Sequence, residues 1–311
     1  MTALLRVVVP GLFTTIQDLG RPHAITAGVP PGGAMDRFAH AAANLLVGND
    51  PGAATLECTL SGPRLVAEHP CLVAVTGSGF EPLVNDDRAP AWTGIFLSRG
   101  DQLSFGERGN GARVYIAVAG GIAGDRWLGS QSTNLLAGRG GMHGRILVVG
   151  DVIAATGEPS GPAVSGRELD RGLRPDYGSG VLLAIPGPHW KRLEPQARHS
   201  LFGATFAVSR DADRMGYRLD GPRLASTGDE LLSFGLTVGA VQLTPAGQPI
   251  VLMADHQTAG GYPVVATVVT ASLPVAAQLK PGAPLRFAEV TLERAHELRR
   301  AQMAALASLG R

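Results

Sequence analysis

The sequence predicts a mainly β protein of two related halves, with a few helices at the periphery. Glycine (42 residues) and proline (22 residues) make up about a fifth of the 311 residues. The apolar segments between them are short and rich in β-branched residues, as in strands joined by turns. Four short sequence matches also recur in the same order along the chain. Together these observations favour two β subdomains over a single α/β domain.

About ten or more short apolar segments have the length and composition of strands, and eight of them serve as examples. They are residues 4–9, 71–75, 113–119, 145–149, 181–185, 205–209, 249–254 and 264–269. Only two segments have the spacing of a helix. The first runs from Asp36, a candidate N-cap, to Val47, and the second covers residues 291–309.

The four recurring matches indicate a duplication. They pair Pro10-Gly11 with Pro186-Gly187, residues 62–65 with 221–224, 72–75 with 251–254, and 100–105 with 282–287. After residue 156 the sequence becomes rich in charged residues and in residues that favour turns. We therefore expect a first subdomain at 1–156, a linker at 157–177, and a second subdomain with the C-terminal helix at 178–311.

Composition excludes several classes of function. A net charge of +1 with 17% charged residues lacks the basic face of a nucleic-acid-binding protein. No apolar run reaches the ~18 residues of a membrane span, and the N-terminus lacks a signal-peptide pattern, so a cytoplasmic protein is expected. The only lysines, Lys191 and Lys280, do not stand in a phosphate-binding loop. The eight histidines show no metal-ligand spacing, so no metal site is expected.

Three polar segments follow predicted strands and are candidates for chemistry. Residues 17–21 (QDLGR) place an amide, a carboxylate and a guanidinium on a glycine-bent turn, which either holds a polar ligand or pairs internally. Residues 119–145 are rich in glycine, hydroxyls and arginine, as in an anion cradle or a set of tight β connections. Residues 255–263 (DHQTAGGYP) have the character of a binding loop, with Asp255 as a candidate base.

These segments also carry a resemblance to a known family. The family is variously called allophanate hydrolase subunit 2, the A and B subdomains of the biotin-dependent carboxyltransferase domain, or the C subunit of bacterial 5-oxoprolinase. The motifs are QDLGR, GGAMD, NLLVGN, LECTLSGP, YIAVAGGI, LGSQST, GGMHGR, DRMGYRLDGP, GQPIVLMADHQTAGGYP and AQLKPG. They extend over nearly the whole chain, so the resemblance is specific at the level of the family.

The resemblance implies two tandem cyclophilin-like β-barrel subdomains and a set of site residues. Asp255, Asp18 and Arg145 are the implied catalytic residues. The implied substrate-binding residues are Gln17, Arg21, Asn44, Glu57, Ser130, Ser132, Thr133, Arg214, Tyr217, Gln242, Gln257, Thr258, Gly260, Gly261 and Tyr262.

The resemblance implies a lactam-hydrolase subunit that uses ATP within a hetero-oligomeric complex to open 5-oxo-L-proline to L-glutamate. The implied partners are the B-type and A-type proteins of the 5-oxoprolinase system. An alternative is carboxyl transfer from carboxybiotin to urea, with biotin on another chain, and a further alternative is a non-catalytic regulatory subunit. Three positions depart from the family pattern: Val264 replaces a common lysine, Ser272 replaces a usual aspartate, and Phe234 replaces an acidic or small polar residue.

Overall fold

The computed structural model describes residues 2–157 and 166–310. These residues form two compact units. The first comprises residues 2–21, 32–157, 166–175 and 302–310, and the second comprises 22–31 and 176–301. Part of the expected linker, residues 158–165, lies outside the described residues. The mainly β fold class predicted from the sequence is confirmed.

The described residues of the first unit contain eleven strands, the α-helix α1 (Arg37–Leu46), a short 3-10 helix at Arg171–Leu173 and the last residues of the C-terminal helix. The strands are β1 Thr2–Val9, β2 Phe13–Gln17, β3 Thr55–Thr59, β4 Arg64–Ala67, β5 Cys71–Gly77, β6 Phe80–Val84, β7 Asp87–Arg88, β8 Gly94–Leu97, β9 Gln102–Arg108, β10 Arg113–Val118 and β11 Val152–Ala155. Six of them form a sheet in the order β11-β1-β4-β9-β6-β7, and five form another in the order β2-β3-β10-β5-β8.

One apolar core lies between these two sheets. Leu5 and Leu65 come from the six-stranded sheet, and Leu56 and Ile116 come from the five-stranded sheet, each fully buried. Alternation of side chains along each strand directs these residues to one face. The first half is thus organised as two sheets around a shared core.

Helix α1 (Arg37–Leu46) starts where the sequence predicts, because Asp36 Oδ1 accepts a hydrogen bond from Ala39 N at 2.9 Å. The helix ends at Val47, and Gly48 follows with a left-handed φ of 78°. Eight of the ten residues of the helix are buried, so most of its surface is covered by the rest of the protein.

The second unit contains nine strands and three α-helices. They are β12 Val181–Pro186, α2 Pro195–Gly203, β13 Phe206–Val208, β14 Gly216–Asp220, β15 Phe234–Gly235, β16 Ala240–Leu243, β17 Pro249–Leu252, β18 Ala259–Gly260, β19 Val264–Val268, α3 Leu273–Gln278, β20 Pro284–Glu289 and α4 Leu292–Ala307. Helix α4, of which residues 302–307 belong to the first unit, confirms the predicted C-terminal helix.

Seven strands of this unit close into a barrel in the order β12-β19-β16-β17-β14-β13-β20. The barrel closes through parallel pairing of β20 with β12, whereas the other neighbouring strands pair antiparallel. Strands β15 and β18 form a separate two-stranded ribbon.

The prediction of a strand at residues 145–149 is wrong. Residues 146–148 have no regular secondary structure, residue 149 lies in a turn, and Leu147 N donates to Thr14 O at 2.9 Å outside any strand ladder. Its apolar character reflects the burial of Leu147 in the core of the first unit, where it is 1% exposed. Helices α2 and α3 were not predicted, because α2 buries only Ala197 and Leu201, whereas α3 has six residues and is buried on nearly all sides, so neither shows an apolar stripe.

Candidate functional site

The serine- and glycine-rich loop of the first unit closes around the carboxylate of Asp18, which directly follows β2. Oδ1 of Asp18 accepts hydrogen bonds from Ser130 Oγ and Ser132 Oγ, each at 2.6 Å, and from Gly20 N at 2.8 Å. Oδ2 accepts a hydrogen bond from Gln131 N at 2.6 Å. The anion to which this loop donates its hydrogen bonds is therefore the carboxylate of Asp18, a group of the protein itself.

The pKa of Asp18 lies below the ordinary value of an aspartate. Burial is the largest influence and acts to raise the pKa, but the hydrogen bonds from Ser130, Ser132, Gln131 and Gly20 together outweigh it. A carboxylate stabilised in this way is a weak proton acceptor. The geometry favours Asp18 as an anchor of the loop, and its assignment as a catalytic residue stays a prediction.

Arg21 and Gln17 flank this anchor and bind the same loop. The guanidinium of Arg21 is fully buried, lies 4.9 Å from the ring centroid of Trp127 and donates to Ser132 O. Gln17 Nε2 donates to Thr133 O at 3.4 Å, and Thr133 Oγ1 donates to Ile16 O at 3.0 Å. The structure thus brings Gln17, Asp18, Arg21, Ser130, Ser132 and Thr133 together in one polar cluster.

Glu57 lies in a second buried cluster beside α1. Its Oε2 accepts hydrogen bonds from Tyr115 OH and Met35 N, each at 2.8 Å, and its Oε1 lies 3.8 Å from Arg113 Nε. The Tyr115 hydroxyl in turn accepts from Asp36 N at 2.7 Å. This network holds the segment that starts α1, and burial is the largest of several influences that raise the pKa of Tyr115.

Asn44, on α1, also forms hydrogen bonds that hold the structure together. Its Nδ2 donates to Ala53 O at 2.7 Å, and its Oδ1 accepts from Asn49 Nδ2 at 3.1 Å. Asn49 Nδ2 also donates to Val118 O at 2.8 Å, which ties the end of α1 to the end of β10. Asn44 and Glu57 are both fully buried, so substrate contact by either side chain stays a prediction.

Replacing Tyr115 by phenylalanine tests the role of the Glu57 cluster. We expect the free energy of unfolding to fall by about 1–3 kcal/mol, because two buried polar groups lose their partner. Denaturant unfolding measures the change, and Tyr262→Phe, which removes a hydroxyl from a side chain that is 42% exposed, is the control. Unchanged stability of Tyr115→Phe would contradict the assigned role.

Arg145 forms an ion pair within its own loop. Nη1 lies 2.7 Å from Asp151 Oδ2, and Nη2 lies 2.8 Å from Asp151 Oδ1. These hydrogen bonds raise the pKa of Arg145 and lower the pKa of Asp151. The charge of Arg145 is therefore balanced at close range, and its predicted role in catalysis is not tested by this geometry.

Asp255, the predicted base of the second unit, is also paired with an arginine. Arg214 Nε lies 2.8 Å from Asp255 Oδ2, Arg214 Nη2 lies 3.2 Å from Asp255 Oδ1, and Asp255 N donates to Arg214 O at 2.8 Å. The side chains are 9% and 22% exposed. The pair connects the turn before β14 to the loop after β17, which carries the other implied binding residues.

A cavity of about 220 Å³ lies beside this loop, on the face of β14, β17 and β16 that points away from the barrel core. Gln242, Gln257 and Tyr262, three of the implied substrate-binding residues, line it, and their contact with substrate stays a prediction. Tyr217 is 3% exposed and alternates with the residues of the cavity face, so it lies on the core side. Thr258 O accepts from Leu236 N at 3.0 Å and holds the loop to the β15 segment.

The two glycines of the loop lie where side chains would not fit. A Cβ on Gly260 would lie 3.1 Å from Leu236 Cδ1 and 3.3 Å from Gln242 Nε2. A Cβ on Gly261 would lie 2.8 Å from Leu231 O. These close approaches explain physically why the sequence carries Gly-Gly at this point.

The three departures from the family pattern have clear structural settings. Val264 is 5% exposed and belongs to an apolar cluster with Leu236 and Leu252. Phe234 packs on His189 with ring centroids 5.0 Å apart. Ser272 Oγ accepts from Leu183 N at 3.0 Å. The wall near Gln242 is therefore apolar where the family commonly has a lysine.

Residues that the sequence did not single out complete both sites. Trp127 stacks on Arg21 in the first unit, and Arg218 and Ile250 line the cavity in the second. Arg218 stands two residues after Gly216 in the motif DRMGYRLDGP, and the alternation of that strand places Gly216 and Arg218 on one face. Recognition of β14 as a strand would have identified Arg218.

The fold is that of a mainly β protein of two units, one of which is a closed barrel. The sequence model of the family 'carboxyltransferase domain, subdomain A and B' matches residues 27–289, so this chain belongs to that family. The family resemblance predicted from the sequence motifs is thereby confirmed.

Particular relatives come from two groups of enzymes. The C subunit of 5-oxoprolinase from Escherichia coli (strain K12) is 37% identical over 302 residues, which is 96% of this chain and 95% of that protein. The urea amidolyase of Saccharomyces cerevisiae is 30% identical over 98% of this chain and 18% of that protein. The crystal structure of the K. lactis urea amidolyase matches with a TM-score of 0.92 and 28% identity, over 99% of this chain and 20% of that chain.

The described residues hold neither a membrane-spanning helix nor a cluster of metal ligands. No helix within 2–157 and 166–310 is long and apolar enough to cross a membrane. In the same ranges, no group of three or more His, Cys, Asp or Glu residues is arranged to hold a metal ion.

Proposed function

We propose that this chain is the C subunit of an ATP-dependent 5-oxoprolinase, which opens 5-oxo-L-proline to L-glutamate. The observation that carries the proposal is the match to the E. coli protein, which covers nearly the full length of both chains, at 96% and 95%. The match to the yeast urea amidolyase covers only 18% of that protein. A cytoplasmic location belongs to the same proposal.

The chemistry requires activation of an unreactive group. A lactam carbonyl is a poor electrophile because the nitrogen lone pair is delocalised into it. Transfer of the terminal phosphoryl group of ATP to the carbonyl oxygen releases ADP and gives an imidate-like carbon. Water adds to this carbon, and the C–N bond then breaks with a proton delivered to the nitrogen, which gives an acyl phosphate. A second water releases phosphate and leaves the carboxylate of glutamate. Donors directed at the oxygen stabilise the developing charge, and a carboxylate handles the proton. In this chain Arg145 is the proposed donor and Asp255 the proposed carboxylate.

Neither the cavity of the second unit nor the loop at residues 130–132 fits the triphosphate of ATP. The cavity of about 220 Å³ is lined by Asp211 and Asp213 against one arginine, Arg218, so its lining repels a triphosphate. The donors of the loop at 130–132 are already directed at Asp18. We therefore place ATP on a partner, the A-type protein of the complex, with the B-type protein in direct contact with this chain.

A second candidate function is carboxyl transfer from carboxybiotin to urea. It is favoured by the relation to urea amidolyases, with a TM-score of 0.92 to the K. lactis structure. The biotin would be carried on another chain. The third alternative is a regulatory subunit that binds its partner without taking part in chemistry.

Reconstitution from purified components tests these alternatives. We expect glutamate formation from 5-oxoproline, coupled to ATP hydrolysis, only when this chain and both partner types are present, because the proposed division of labour places the ATP site on a partner. Glutamate release and phosphate release are measured in parallel, with each component omitted in turn.

Each other result has a distinct meaning. ATP-dependent turnover by the isolated chain would refute the need for partners. Carboxylation of urea by a biotin-carrying partner, without glutamate formation, would favour the carboxyltransferase. Stable association without either activity would favour the regulatory role.

A further inference from the structure

Three residues of the second unit's cavity lie side by side on adjacent strands, with the cation of Arg218 at one end and the amide of Gln242 at the other. Arg218 on β14 is in register with Ile250 on β17, which is in register with Gln242 on β16. Adjacent strands lie about 4.8 Å apart, so the backbones at the two ends of the row are separated by about 10 Å. All three residues line the cavity.

Gln242 presents a buried polar atom without a protein partner. Its side chain is 1% exposed, and its Oε1 accepts a hydrogen bond from Gln257 Nε2 at 3.1 Å. Within residues 2–157 and 166–310, Gln242 Nε2 has no hydrogen-bond partner. A buried donor of this kind is costly to leave unmatched, so its place in a cavity wall points to a ligand acceptor.

The side-chain amides of Gln242 and Gln257 form a pair that suits a ligand that is itself an amide. In the present orientation Gln242 offers its NH₂ group to the cavity. If both amides rotate by 180°, Gln242 offers its Oε1 to the cavity instead, and its NH₂ group donates to Oε1 of Gln257. A lactam edge carries both a carbonyl oxygen and an N–H group, so it complements the pair in either orientation. Gly260 leaves the room for this, because a Cβ there would lie 3.3 Å from Gln242 Nε2 and 3.5 Å from Gln257 Nε2.

The floor between the two ends of the row is apolar. Ile250 and Leu252 line the cavity; Leu252 belongs to the buried cluster that contains Val264, and Ile250 packs against that cluster. Such a floor accommodates ring methylenes and gives no hydrogen bonds to a small, fully polar molecule such as urea.

Arg218 is the cation that lines the cavity, and no ion pair links it to any carboxylate in the described ranges. Two carboxylates also lie at the rim. Asp213 Oδ1 accepts from Met215 N and Gly216 N, at 2.8 and 3.1 Å, so its carboxylate is committed to the turn. The other, Asp211, is exposed. Asp213 is exposed as well, so solvent screens both carboxylates, and Arg218 is the group that can form a direct ion pair with a single ligand carboxylate.

We infer that this cavity binds a small cyclic amide with one carboxylate, with its amide edge at Gln242 and its carboxylate at Arg218. The choice of 5-oxoproline as the natural ligand rests on the proposed function. The positions of the two groups rest on the register of the three strands and on the buried amide. Gln257 acts as a positioning residue because it orients Gln242.

The test is direct binding to the full chain, measured by calorimetry and by NMR of the ligand. The probes are 5-oxo-L-proline, 2-pyrrolidone without the carboxylate, L-proline without the carbonyl, and urea. We expect 5-oxoproline to bind about tenfold more tightly than pyrrolidone, and proline and urea to bind more weakly still.

Variants assign the two ends of the ligand. Gln242→Leu removes the amide at similar volume and is expected to weaken 5-oxoproline and pyrrolidone alike by about tenfold. Arg218→Gln should weaken 5-oxoproline while leaving pyrrolidone unchanged, because only the former carries a carboxylate. Gln248→Leu and Arg286→Gln, at residues that do not line the cavity, are matched controls. Thermal unfolding verifies that every variant is folded.

The outcomes separate this inference from the proposed function. Absence of saturable binding of 5-oxoproline and pyrrolidone to the wild-type chain overturns the inference, as does unchanged binding in folded Gln242→Leu and Arg218→Gln. Binding that both variants impair, without turnover in the reconstituted complex, supports the cavity and refutes the 5-oxoprolinase assignment. Turnover with an unchanged KM in both variants supports the enzyme and refutes the cavity.

Discussion

Asp18→Asn is expected to lower the free energy of unfolding by about 2–3 kcal/mol, because a half-buried anion with four donors becomes neutral. Asparagine keeps the shape of the side chain, but its NH₂ group cannot accept a hydrogen bond. It must replace either Oδ2, which accepts from Gln131 N, or Oδ1, which accepts from the two serine hydroxyls and Gly20 N. Denaturant unfolding measures the change. The control is Asp50→Asn, since Asp50 is exposed and accepts a single backbone hydrogen bond, from Gly52 N at 2.7 Å.

The pH dependence of the same variant gives an independent measurement. The folded-state pKa of Asp18 is lowered, so the unfolded chain binds the proton more tightly than the folded chain. The stabilisation is therefore fully present above the ordinary aspartate pKa of about 3.9 and is lost as the pH falls through the folded-state value. A stability difference between wild type and Asp18→Asn that did not shrink on acidification below about pH 4 would contradict the anchoring role.

Asp255→Asn is expected to destabilise the second unit by about 2–4 kcal/mol, because the buried guanidinium of Arg214 loses its counter-charge. The side chains of the pair are 9% and 22% exposed, so solvent screens the interaction only in part. Chemical unfolding of the variant, compared with the control Asp229→Asn at an exposed position, gives the magnitude.

A double-mutant cycle with Arg214→Gln then isolates the pair. We expect a coupling energy above about 1 kcal/mol, because each single change removes the same contact. If Asp255→Asn is as stable as wild type but the reconstituted enzyme loses turnover, the carboxylate acts on the substrate and not mainly on Arg214. That result would favour its prediction as the catalytic base.

Local signals in the sequence were sufficient for α1, since Asp36 caps the helix and Gly48 follows its end. They were insufficient at residues 145–149, where apolar composition reflects the buried Leu147 and not a strand. Helix α2 buries only Ala197 and Leu201, so its stripe is too short to be recognised. A prediction was therefore correct where capping residues and apolar spacing agreed, as in α1, and failed where only apolar composition was present or the buried face was too small.

The polar segments that carry the sites were visible in the sequence, but their partners were not. Asp18 and Ser132 are 114 residues apart, and only the folded chain shows that one accepts from the other. Arg214 and Asp255 are 41 residues apart and meet through a strand pair whose register no local pattern defines. Sequence motifs therefore indicated which residues are special, and the fold indicated what each one binds.

The parallel contact between β12 and β20 has a consequence for synthesis of the protein on the ribosome. Strand β20 pairs with both β12 and β13, so the barrel remains open until residues 284–289 have emerged. Until then β12 and β13 each expose an unpaired edge, which invites pairing with another nascent chain. The second unit consequently depends on its last strand, β20, to protect the edges of β12 and β13, which are synthesised well before it.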